Sequence, residues 1–97
     1  MSIKIHRSSG NVFVDLGFSP EEAANLRLRS ELMVQIRRLI EARGLTQAAA
    51  AKLFGVTQPR VSNLVRGKID LFSIDTLVDM LSHAGVRVEL RLKPRVA

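Results

Sequence analysis

The sequence contains no cysteine, tryptophan or tyrosine, and its four aromatic residues are all phenylalanine. Without cysteine the chain has no disulfide, no thiolate zinc site and no cysteine nucleophile, and nothing in it requires an oxidising compartment. Charge or glycine interrupts the apolar stretches every few residues, and the first residues lead into no signal-like apolar run. We therefore expect a cytoplasmic protein that neither spans nor crosses a membrane.

The residue combinations that catalysis needs are also missing. The serines and carboxylates show no nucleophile, base and orienting-group arrangement, and there is no glycine-rich phosphate loop. His6 and His83 stand alone in the sequence, which is typical of surface histidines and not of metal ligands. Phe54 and Phe72 are predicted to lie in the core, which leaves no aromatic platform for stacking single-stranded RNA. We expect no enzyme activity, no metal site and no cofactor.

The charge is concentrated in one third of the chain. With 97 residues, of which 46% are hydrophobic and 25% charged, the sequence fits one small folded domain. Residues 37–68 hold seven basic residues and one acidic residue, so this segment accounts for the whole net charge of +6. Such a local excess favours a polyanionic partner, most often nucleic acid. An acidic protein, a membrane surface or a solvated face are the alternatives.

Helix start and stop signals divide the chain into three parts. Residues 1–18 are predicted to form a flexible or extended arm, in which residues 12–16 alternate weakly like a strand. Residues 19–85 are predicted to be a helical domain with a long first helix, which Gly44 ends, and three shorter helices. The predicted N-caps of these helices are Ser19, Thr46, Thr57 and Ser73.

The C-terminal residues 86–93 change to a period of two, which predicts a half-buried strand. A single strand needs a partner, either residues 12–16 or a second copy of the chain. In a self-antiparallel pair centred on Val88 or Leu90, arginine faces glutamate across the strands. We therefore predict a homodimer through this strand, with the apolar positions Val86, Val88, Leu90 and Leu92.

Residues 46–66 have the spacing of a helix-turn-helix. Ala51 is small where the two helices approach most closely, and Gly55 supplies the positive φ of the turn. Val61 and Leu64 anchor the second helix, residues 58–66, on the core. The fold class predicted is therefore mainly α, a compact helix-turn-helix bundle with a C-terminal strand that pairs in a dimer.

The second motif helix carries side chains that suit DNA. Gln58 and Asn63 can each bind an adenine edge in the major groove, and Arg60 can contact either a base or a phosphate; we group it with the base contacts. Pro59 offers only apolar contact. The predicted phosphate contacts, which set the register on the duplex, are Gln47, Thr57, Ser62, Arg66 and Lys68.

Residues 45–67 resemble the Xre/Cro-type helix-turn-helix repressors, whose fold is the lambda-repressor-like bundle. The resemblance implies that Gln47 contacts phosphate and that Gln58 reads a base. Pro59 departs from the best-known phage repressors, which have a polar residue there.

Nearly the whole chain is similar to antitoxins of the HigA kind. This likeness rests on residues 11–18, the long first helix, the run Gln58-Pro59-Arg60-Val61-Ser62, Phe72-Ser73 and the terminal strand. It implies a dimer that represses its own operon and neutralises a RelE/HigB-like ribonuclease toxin. We expect this twofold dimer to be nucleoid-associated and to bind a pseudo-palindromic operator. We expect residues 1–18, with the exposed side of the first helix, to bind the toxin. The alternatives are a stand-alone Xre-family regulator and a toxin-neutralising protein whose DNA binding is secondary.

Overall fold

The computed structural model describes residues 2–5 and 12–94 and confirms the mainly α fold class. Helices make up most of this part of the chain, and one short two-stranded sheet accompanies them. In chain order the elements are β1 (Ser2–Ile5), α1 (Val12–Asp15), α2 (Pro20–Ala42), α3 (Gln47–Phe54), α4 (Gln58–Val65), a 3₁₀ turn (Ile69–Leu71), α5 (Ile74–His83) and β2 (Arg87–Leu90).

The four longer helices begin at the predicted caps. In each case the cap hydroxyl accepts a hydrogen bond from the backbone amide three residues later, an amide that the helix itself leaves without a partner. The donor amides belong to Glu22, Ala49, Arg60 and Thr76, at 3.2, 3.1, 3.4 and 3.1 Å.

One apolar core joins α2, the two motif helices and α5. Phe54 and Phe72 are each only 1% exposed, which confirms their prediction as core residues. Leu26 and Met33, which the sequence pattern places off the main apolar stripe of α2, are buried as well. Leu28, predicted on that stripe, is only partly buried. Within the described residues no helix is both long and apolar enough to cross a bilayer.

The expectation of a strand at residues 12–16 is wrong. Val12–Asp15 forms the short helix α1, and the amide of Leu16 donates to the carbonyl of Val12 at 3.0 Å. The rings of Phe13 and Phe18 meet edge to face with centroids 6.2 Å apart, so this contact joins the start of the turn to its end. Three alternating apolar residues fit such a turn as well as a strand. Of the remaining residues of the predicted arm, residue 1 and residues 6–11 lie outside the described residues.

The C-terminal strand pairs within its own chain. β1 runs parallel to β2 with Ser2 opposite Arg87 and Ile5 opposite Leu90, so residues 12–16 are not its partner. The strand is also shorter than the predicted residues 86–93, because regular pairing ends at Leu90. Val86 is buried and Val88 half-buried, whereas Leu90 and Leu92 are 64% and 90% exposed. The predicted apolar face is therefore buried only in its first half.

Candidate nucleic-acid interface

The turn between α3 and α4 depends on one left-handed residue. Gly55 has φ 68° and ψ 34°, and the next amide, that of Val56, donates to the carbonyl of Ala51 at 2.9 Å. Ala51 is buried at this point, where a larger side chain would separate the helices. Gly55 and Ala51 therefore have the roles that the motif spacing predicts.

His83 supports this turn, a role that the sequence did not reveal. Its Nδ1 donates a hydrogen bond to the carbonyl of Leu53 at 3.0 Å. A Cβ built on Gly55 would lie 2.8 Å from the His83 ring. The end of α5 therefore packs directly on the backbone of the turn. Thirty residues separate His83 from Leu53, so no local pattern could have signalled the contact.

The helix α4 is anchored through Val61 and Leu64, both buried as predicted. At about 100° per residue, the side of the helix opposite these anchors carries Pro59 and Arg66 at its centre. The predicted base contacts are spread more widely than one face. Gln58 and Arg60 fall on opposite flanks of the helix, and Ser62 and Asn63 lie nearer the centre of the outer side.

Two of the three predicted base contacts have side chains that make neither a hydrogen bond nor a ring contact among the described residues. Gln58 is exposed and Asn63 is half-buried, and neither side chain has a hydrogen-bond partner among the residues that the structure describes. Arg60 is half-buried, and its guanidinium lies over the ring of Phe72, 4.7 Å from the ring centre. The first two can therefore accept a partner without first breaking an internal contact.

The predicted phosphate contacts surround α4. Gln47 and Thr57 lie at the starts of α3 and α4, where the helix dipoles are positive, although the Thr57 hydroxyl already caps its own helix. Arg66 and Lys68 are exposed just beyond the last turn of α4, and Ser62 is half-buried on the outer side.

Most of the basic residues in residues 37–68 are unneutralised. Arg37 pairs with Glu41 at 3.6 Å. The other exposed cations of the segment form no ion pair within the described part of the chain, and they are Arg38, Arg43, Lys52, Arg66 and Lys68. Cations without ion-pair partners attract a polyanion, and the free amide side chains can form hydrogen bonds with donors and acceptors on it. Together they suit a ligand that carries both phosphates and hydrogen-bonding edges.

Arg29 holds the segment that follows α4, and it is a second residue that sequence reasoning missed. Its Nη1 donates to the carbonyls of Ile69 and Phe72, each at 3.3 Å. Its Nε donates to the Asn25 side chain at 2.7 Å, one helical turn earlier on α2. These bonds tie the loop between α4 and α5 to α2, so α4 is supported at its start by His83 and beyond its end by Arg29.

Comparison with known proteins agrees with this architecture. The family model described as a helix-turn-helix domain matches residues 12–93, which is nearly all of the described chain. A comparison with curated proteins found no significant match. The matched residues include both motif helices and the elements that pack behind them. The α3–α4 unit of this chain is of the kind that DNA-binding regulators use, and the chain belongs to the helix-turn-helix domain family.

Proposed function

We propose that the protein is a sequence-specific transcriptional repressor of the Xre/Cro type that places α4 in the major groove of DNA. The observation that carries this proposal is the outer side of α4, where free amide side chains stand among cations without ion-pair partners in the described residues. Bound at a promoter, such a protein represses by excluding other proteins from the same DNA.

Within this proposal Gln58 and Asn63 read base edges. The remaining contacts, from Gln47, Thr57, Ser62, Arg66 and Lys68, go to phosphates. Base contacts set which sequence is bound, whereas phosphate contacts set affinity for every sequence and its dependence on salt.

A matched pair of glutamine variants tests these roles. Gln58→Ala should lower the preference for the operator over a scrambled duplex by about 1 to 3 kcal/mol at the base that it contacts. Gln47→Ala should weaken binding to both duplexes by a similar factor. Asn63→Ala should behave like Gln58→Ala, and Arg66→Ala like Gln47→Ala, with a shallower salt dependence. If Gln58→Ala and Asn63→Ala leave the operator preference intact, α4 does not read bases through these residues.

A dimer through β2 would match the twofold symmetry of a pseudo-palindromic operator. β1 occupies one edge of β2, and among the described residues the other edge has no strand partner. The exposed side chains of Leu90 and Leu92 line an open groove of about 370 Å³ together with Leu28 and Ile74, which a second copy can fill. Dimer binding requires the two recognition helices to be about 34 Å apart, one turn of DNA.

Sedimentation of the wild type and of Leu90→Asp tests the dimer. We expect a dimer at micromolar concentration for the wild type and a monomer for the variant, because a buried unpaired carboxylate opposes association. Leu71→Asp, which introduces the same charge at an exposed leucine that does not line this groove, is the control and should stay dimeric. A wild-type monomer at this concentration would contradict the strand interface.

The finer proposal is that the repressor is also the antitoxin of a type II toxin-antitoxin operon. The exposed apolar residues around α1 support this, because a solvated turn gains nothing from them. They are Val12, Val14, Leu16 and Phe18, from 42% to 69% exposed. Residues 12–22 contain three acidic residues and no basic one, which complements a basic ribonuclease of the RelE/HigB type.

Co-expression with the protein from a short neighbouring reading frame tests this role. Leu16→Asp should lose both co-purification and protection from the toxin, while DNA binding remains. Leu71→Asp, also at an exposed leucine, is the control and should keep protection. If no neighbouring protein binds while operator binding holds, the protein is a stand-alone regulator. If the toxin binds but no operator does, neutralisation is its primary function.

A further inference from the structure

Arg60 lies on the flank of α4 that faces the start of α5, where its side chain is already stacked. The guanidinium carbon is 4.7 Å from the centre of the Phe72 ring. This distance is within the range of a cation–π contact, and an arginine stacks better than a lysine because its charged group is planar. The ring beneath it belongs to the buried core, where Phe72 is only 1% exposed.

The segment that carries this ring is held from the opposite side. The Phe72 carbonyl accepts a hydrogen bond from Arg29 Nη1 at 3.3 Å, and Arg29 is oriented in turn by Asn25. Phe72 is thus fixed to α2 through its backbone and to α4 through its ring. The Arg60 guanidinium therefore rests on a rigid support and loses little further entropy when it binds a ligand.

The contact with the ring leaves the hydrogen-bond donors of the guanidinium unused, because these N–H groups have no hydrogen-bond partner among the residues that the structure describes. At about 100° per residue, Arg60 is turned roughly 110° from the centre of the outer side of α4. Gln58, on the other flank, makes no such contact and is free to turn toward the base edges, whereas the contact with Phe72 keeps the Arg60 side chain on its flank. When the outer side of such a helix enters the major groove, this flank lies nearer the sugar-phosphate wall.

We propose that Arg60 is a phosphate contact preset by Phe72, and not a reader of bases. This inference rests on the proposed DNA-binding function. The fork of donors at the guanidinium edge matches two oxygens of one phosphate, and the stack on Phe72 holds that fork in place. Phe72 and Arg29 are positioning residues, because they act on DNA only through Arg60.

Salt titrations of fluorescence anisotropy, with an operator duplex and a scrambled duplex of equal length, test the assignment. Arg60→Ala should weaken binding to both duplexes by the same factor, at least about tenfold, since the loss of even one charge-assisted hydrogen bond has an effect of that size. The slope of log affinity against log salt should become shallower by about 0.9, the value for one phosphate. Lys93→Ala, which removes the same charge beyond β2, is the control and should change neither quantity.

Two further variants separate DNA contact from folding. Arg60→Met still covers the Phe72 ring with an apolar chain, so it should melt near the wild type and yet lose the same salt slope. Phe72→Leu keeps an apolar core residue but removes the ring. It should weaken both duplexes by a smaller factor, with the slope retained because the charge of Arg60 is still present.

A loss of preference at one base pair with an unchanged slope would make Arg60 a base reader and overturn the proposal. An unchanged slope and affinity in Arg60→Met would reduce the stack to a purely structural contact and overturn it as well. Both results require that the wild type prefers the operator. If the wild type itself binds neither duplex, the proposed DNA-binding function fails and not merely the role of Arg60.

Discussion

The helices α4 and α1 both pack against α2, but they expose opposite chemistry. The helix α4 buries Val61 and Leu64 and presents amide, hydroxyl and guanidinium groups to solvent. The turn α1 has no buried residue, and its large apolar side chains face outward next to carboxylates. The helix α4 thus buries apolar side chains and exposes polar ones, whereas α1 exposes apolar side chains.

This difference indicates what each surface needs. Burying a large apolar side chain stabilises a protein by about 1.5 to 3 kcal/mol, and α1 forgoes most of that gain in the isolated chain. The α3–α4 unit buries or half-buries its large apolar side chains, and most of its exposed side chains are polar. The exposed apolar surface of α1 therefore fits the protein partner proposed above, whereas the outer side of α4 fits the proposed polyanion.

The largest difference in unfolding free energy is expected between two phenylalanine variants, one in the α3–α4 unit and one just after α1. Phe54→Ala should lower the free energy of unfolding by about 3 to 5 kcal/mol, because it opens a cavity between the motif helices and α5. Phe18→Ala should lower it by less than about 1 kcal/mol, since its ring is 42% exposed. Urea unfolding measures both. Equal losses would mean that α1 belongs to the core and is not a separate surface.

The next effect concerns the turn that aims α4. Gly55→Ala should lower the free energy of unfolding by about 1 to 2 kcal/mol from its left-handed φ alone, and by more because the new methyl group meets the His83 ring at 2.8 Å. His83→Ala alone loses the hydrogen bond to Leu53, so it is the reference: in that background Gly55→Ala should cost only the part due to φ. A Gly55→Ala protein as stable as the wild type would contradict both causes.

A smaller effect is expected at the cap of α3. Thr46→Ala should cost about 1 kcal/mol, because the Ala49 amide loses its acceptor, which lies 3.1 Å away. Thr46→Ser keeps the hydroxyl and should stay within a few tenths of a kcal/mol of the wild type. Thermal unfolding of the two variants side by side measures the difference. If serine destabilises as much as alanine, the methyl group of Thr46 and not its hydroxyl holds the helix start.

The smallest effect is expected at the pair that Arg37 forms with Glu41 at 3.6 Å. Both side chains are more than half exposed, so Arg37→Ala should change the free energy of unfolding by less than about 0.5 kcal/mol. Glu41→Ala should have a similarly small effect. A loss above 1 kcal/mol for either variant would show that this surface contributes to folding and not only to the field around α4.

Local signals predicted most of the fold. A cap hydroxyl acts on an amide three residues away, and a left-handed glycine acts on its own turn, so Thr46, Thr57 and Gly55 could be interpreted from the sequence. The outer residues of α4 followed from the same logic, because the buried positions Val61 and Leu64 fix which side faces solvent.

Contacts between distant segments could not be predicted in this way. β1 pairs with β2 from the opposite end of the chain, and Arg60 meets Phe72 across a loop. Neither contact has a spacing that repeats in sequence. The sequence pattern does not distinguish the helix α1 from a strand, because apolar residues that alternate over so short a stretch fit both structures.

The most direct test of DNA binding through α4 is a salt titration of anisotropy on the duplex upstream of the gene, beside a scrambled duplex of equal length. We predict tighter binding to the upstream duplex, together with a steep loss of affinity as salt rises. Equal and weak binding to both duplexes would contradict a sequence-specific repressor and leave only a basic surface.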